Sequence, residues 1–106
     1  MYSENMKKLL LSLLALSLPI LSYGVTYNVT VPSGTKACYI AGEMNSWSQQ
    51  AMNKVDESHY TLEITSAMTA HKYKYCSGPS WTYVENIADN RSYSASDVVI
   101  SWAAIY

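Results

Sequence analysis

Val25-Thr26-Tyr27-Asn28-Val29-Thr30-Val31 alternates apolar and polar residues without a break. A period of two puts Val25, Tyr27, Val29 and Val31 on one face of an extended chain and the polar residues on the other. That pattern is a half-buried β-strand, and the chain beyond it repeats the theme. Pro32-Ser33-Gly34 is a turn signal, and a second strand is expected over Cys38–Ala41. Further strands are expected over Met52–Val55, Tyr60–Thr65, His71–Cys76, Trp81–Glu85 and Asp97–Trp102. Asp56-Glu57-Ser58 and Ser77-Gly78-Pro79-Ser80 break these runs, and residues 42–50 and 86–96 read as loops. No window beyond residue 24 offers the i, i+3, i+4, i+7 apolar spacing of a helix. The expectation is an all-β fold, an immunoglobulin-like antiparallel β-sandwich of seven or eight short strands.

Upstream of that first strand the composition changes. Lys7 and Lys8 precede an apolar run from Leu9 to Leu21, and Ser22-Tyr23-Gly24 places small residues at the −3 and −1 positions of a cleavage after Gly24. Residues 1–24 therefore read as a signal peptide that is removed, which implies a secreted or periplasmic location. Thirteen residues fall short of the ~20 needed to span a bilayer, so no membrane span is expected. Val25–Tyr106 is left as a single domain with a net charge of −2, against −1 for the whole 106-residue chain. So little charge gives no electrostatic case for nucleic acid. A domain this small has a thin core, and its aromatics, with Tyr 10, Trp 3 and Phe 0 in the full chain, must carry much of the burial.

The residues do not suggest catalysis, and no cofactor is expected. His59 and His71 stand in no metal-ligand spacing, and the acids occur singly. Cys38 and Cys76 could pair in an oxidising compartment. Strand alternation, however, puts them on opposite phases, which argues against a bridge. The tryptophans are more informative. Trp47 lies in a loop between Asn45 and Ser48, and Trp81 follows Gly78-Pro79-Ser80. An indole exposed among polar groups offers an apolar face to a sugar ring, while nearby Lys, Asn and Glu can hydrogen-bond the hydroxyls. The competing view makes both ordinary core or rim residues, because Trp is usually largely buried.

Val31-Pro32-Ser33-Gly34-Thr35 followed by Tyr39-Ile40-Ala41-Gly42-Glu43-Met44-Asn45-Ser46-Trp47 resembles the opening of starch- and glycogen-binding modules of carbohydrate-binding module families 20 and 48. Tyr60 in a strand, Tyr73-Lys74-Tyr75, Trp81 after a turn, Asn90-Arg91-Ser92-Tyr93 and the terminal Val98–Trp102 continue the resemblance in the same order. It implies binding of α-glucan polysaccharide or oligosaccharide by a non-catalytic module. Trp47 would be the first stacking residue, Lys74 and Asn90 the sugar-contacting polar groups, and Trp81 the second stacking residue. Family 20 places that second Trp nearer the Asn-Arg pair, where this chain has Val84-Glu85, so Tyr83 and Glu85 join the candidate set. The alternative is a structural or protein-interaction module of a glucan-utilisation system without its own sugar site. In either case a glucan-degrading enzyme or surface protein is the expected macromolecular partner.

Overall fold

The computed structural model describes residues 24–106. The leader expected over residues 1–24 lies outside them except for Gly24. Seven strands appear in chain order: β1 (Val25–Thr30), β2 (Tyr39–Gly42), β3 (Gln50–Ala51), β4 (Asn53–Asp56), β5 (His59–Ile64), β6 (Tyr73–Cys76) and β7 (Asp97–Val98). They form a β-sandwich of two sheets, ordered β4-β5-β1-β7 and β3-β2-β6. Among the described residues, no helix is long and apolar enough to cross a membrane.

The opening alternation is realised in β1: Val25, Tyr27 and Val29 are buried, while Thr26 and Asn28 are exposed. The strand pairs antiparallel with β5 along its whole length, from Val25 opposite Ile64 to Thr30 opposite His59. Three expectations need correcting. The strand expected over Met52–Val55 is β4, one residue later, and an unexpected β3 precedes it in the other sheet; the two are joined at the buried Met52, which donates its N–H to the Cys38 carbonyl at 2.9 Å. Trp81–Glu85 opens as a 3-10 turn over Trp81–Tyr83, because the Ser80 hydroxyl accepts the Thr82 N–H and caps it. Asp97–Trp102 divides as well. Asp97 and Val98 pair with β1, in parallel, whereas Trp102 bridges Glu85 beside the second sheet. The sandwich is thus mainly, not wholly, antiparallel.

Tyrosine takes the place of phenylalanine in the core for a visible reason. Tyr27, Tyr73 and Tyr75 have no exposed surface. Tyr73 meets Tyr27 edge-to-face at 4.9 Å between ring centroids and Tyr75 at 5.6 Å. The Tyr73 and Tyr75 hydroxyls donate to Asp97 Oδ2 at 2.6 and 2.8 Å. Asp97 also lies 3.5 Å from the Arg91 guanidinium, which forks onto Glu85 at 2.8 and 2.6 Å. Glu85 Oε2 accepts the Tyr75 N–H as well. The Tyr73 and Tyr75 hydroxyls therefore let aromatic bulk and a buried charged triad share one interior, whereas the buried Tyr27 and Tyr60 hydroxyls have no hydrogen-bond partner.

Burial raises the phenols of Tyr27, Tyr60, Tyr73 and Tyr75 and the thiols of Cys38 and Cys76, Cys76 to about 11. In the unfolded chain these protons leave near pH ~8.5 for thiols and ~10 for phenols. Below those values both states are protonated and the full stability is present. Above them the unfolded state ionises first, so stability falls with rising pH, by ~1.4 kcal/mol per pH unit for each such group. The urea midpoint should therefore decline beyond pH ~9 and more steeply beyond pH ~10. Equal midpoints at about pH 8 and about pH 11 would contradict this coupling.

Candidate functional site: an exposed tryptophan pair

Trp47 and Trp81 are 34 positions apart in the chain but lie together, their ring centroids 6.2 Å apart and their planes tilted by 43°. Trp81 is 45% exposed and Trp47 half-buried. No pocket occurs among the described residues.

Each ring is held by a short turn. After β2 the chain enters a 3-10 turn over Glu43–Asn45 and then takes left-handed backbone at Ser46 (φ 58°) and Trp47 (φ 61°). These are the only non-glycine residues with positive φ among the described residues. A left-handed β-carbon crowds the following carbonyl, at ~1–3 kcal/mol per residue, so the surroundings must impose the shape. The Trp47 N–H donates to the Gly42 carbonyl at 2.8 Å, and Ser48 N–H to the Asn45 carbonyl at 3.1 Å. On the other side, the Tyr83 and Val84 N–H groups donate to Ser80 and Trp81 carbonyls, closing the turn that carries Trp81.

Gly42 is needed for space rather than for backbone freedom. A β-carbon there would come within 2.5 Å of the Lys72 carbonyl oxygen and 2.7 Å of Tyr73 Cβ, because β2 and β6 meet at that point. Gly42→Ala should lower stability by ~1–3 kcal/mol, as overpacking does, read as a lower urea midpoint.

Lys74 lies on the outer side of the second sheet. Tyr73 and Tyr75 point into the core, so Lys74 between them points out. Tyr73 bridges Arg91 antiparallel, and Arg91 turns inward to Glu85. Asn90 is exposed, and Lys74 Nζ donates to the Ile87 carbonyl at 3.2 Å. The same register explains the 2.6 Å contact between Lys72 Nζ and Ser92 Oγ one step along.

The other two expected residues are engaged elsewhere. Tyr83 is half-buried and packs edge-to-face on Tyr106 at 5.0 Å, both rings lying against the Gly78 backbone. Glu85 is withdrawn from the surface altogether. It is 2% exposed and both its oxygens are occupied by Arg91 and the Tyr75 N–H, so it cannot meet a surface ligand. Cys38 faces the core, and Cys76 lies on the opposite face beside the Gln49 amide. Both thiols are free. Among the described residues, no cluster of three His, Cys, Asp or Glu side chains could hold a metal ion.

Compared with models of protein families, with curated proteins and with solved structures, the chain matches none.

Proposed function

We propose that this is an exported, non-catalytic module that binds starch- or glycogen-type α-glucan by aromatic stacking. The observation that carries it is the Trp47–Trp81 pair, two indoles side by side, one exposed and one half-buried. Leaving an indole 45% exposed forgoes burial that a small domain could use, which favours a role at the surface. Glucose rings would lie on the indole faces, with Lys74, on the outer side of the second sheet, and the exposed Asn90 contacting hydroxyls. A nearly neutral surface suits a neutral polymer, and the leader at residues 1–24 would deliver the domain to the periplasm or exterior.

The test is retardation of the Val25–Tyr106 domain in a native gel containing amylopectin. Wild type should be slowed and Trp47→Ala should not; equal migration with and without polysaccharide rejects the proposal. A second reading, an interaction module serving a glucan-degrading enzyme or surface protein, draws on Val98 and Ile100, exposed by 52% and 80%. It predicts no retardation in amylopectin.

A further inference from the structure

We infer that Asn45 is the positioning residue of the tryptophan pair: its carboxamide ties the two ends of the β2–β3 loop together and thereby imposes the left-handed turn that sets Trp47 against Trp81. Three hydrogen bonds carry the inference. Asn45 Oδ1 accepts the Gly42 N–H at 2.9 Å, at the exit of β2. Its Nδ2 donates to the Ile40 carbonyl at 3.1 Å, within β2, and to Gln50 Oε1 at 3.1 Å, where β3 begins. One side chain thus spans the whole entry and exit of the loop.

The chain between these anchors has little freedom. Gly42 and Gln50 are fixed by pairing of β2 with β6 and β3. Drawing Asn45 back onto Ile40 leaves residues 46 and 47 to reverse the chain, and both adopt positive φ. Tryptophan is a poor residue for that conformation, so it holds only where its surroundings over-determine it. A Trp47 free to return to ordinary backbone would swing its ring away from Trp81. Ordering the ring before a ligand arrives spares the ligand that cost, which is how a residue touching no sugar can govern affinity.

The significance for glucan rests on the proposed function, but the positioning can be read without any ligand. Two indoles 6.2 Å apart should give an exciton couplet in the far-ultraviolet circular dichroism, and Trp81→Ala assigns it by abolishing it. Asn45→Ala should remain cooperatively folded, lose most of the couplet, and bind amylopectin roughly tenfold more weakly. A folded Asn45→Ala domain with the wild-type couplet overturns the inference. Should that variant fail to fold, Asn45→Asp decides. It keeps the acceptor for Gly42 and loses both amide donors, so an unaltered couplet in it also overturns the inference. A couplet lost in the variant, with no retardation even of wild type, would reject the glucan proposal and leave the positioning role standing.

Discussion

Trp81→Ala should weaken amylopectin binding about thirtyfold, or ~2 kcal/mol, the scale of a residue central to a small interface. The domain should stay folded, because an indole already 45% exposed contributes less to the core than a buried one. Trp47 is half-buried, so its alanine variant removes packing as well as binding, and Trp81 is the cleaner probe. The double variant should lose little beyond the stronger single one, since rings 6.2 Å apart form one surface. Affinity electrophoresis over a series of amylopectin concentrations gives the ratio. An effect below about twofold for Trp81→Ala would remove the pair from the binding surface.

Arg91→Met should be the most damaging single change, destabilising the fold by ~3–5 kcal/mol. It removes the one cation facing Glu85 and Asp97, which are 2% and 5% exposed, and leaves two buried carboxylates without compensation. The Val98 carbonyl would lose its donor too, and the Tyr75 ring its covering guanidinium. Against a total of ~5–15 kcal/mol for an ordinary domain, that loss could leave most of the population unfolded at 37 °C. Arg91→Lys keeps the charge but not the fork onto Glu85, and should fall between. Urea titration followed by circular dichroism checks both, and a midpoint unchanged in Arg91→Met would contradict the assigned role.

Elements with clean alternation were legible in the sequence. Val25–Thr30, the strand around Ile40, and Tyr73–Cys76 lie within a residue or two of where the period of two puts them. Alternation also separated Cys38 from Cys76, since a strand's odd and even residues face opposite ways. What periodicity could not give is which sheet a residue joins. Gln50–Ala51, within or beside a stretch read as loop, pairs with β2 as β3, and the chain changes sheets at Met52, whose N–H bonds Cys38. Trp81–Glu85 looked extended because its residues are bulky, while the Ser80 cap, a local hydrogen bond, bends it into a turn. For the candidate site, the nomination of Trp47 and Trp81 came from sequence and their proximity from the fold. Glu85 misled because an acid between Val84 and Asn86 reads alike whether it faces solvent or a buried arginine.

The parallel pairing of β1 with β7 joins residue 29 to residue 97, 68 positions further on. Until that late segment has been synthesised, the Val29–Thr30 end of β1 has no strand on that side. An unpaired strand edge is a template for other chains. The domain is therefore sealed by its last-made strand, and a nascent or shortened chain ending before residue 97 would present an unfinished sheet. Long-range closure of this kind also slows folding relative to hairpin-built sandwiches, because the loop must close before the contacts that reward it can form.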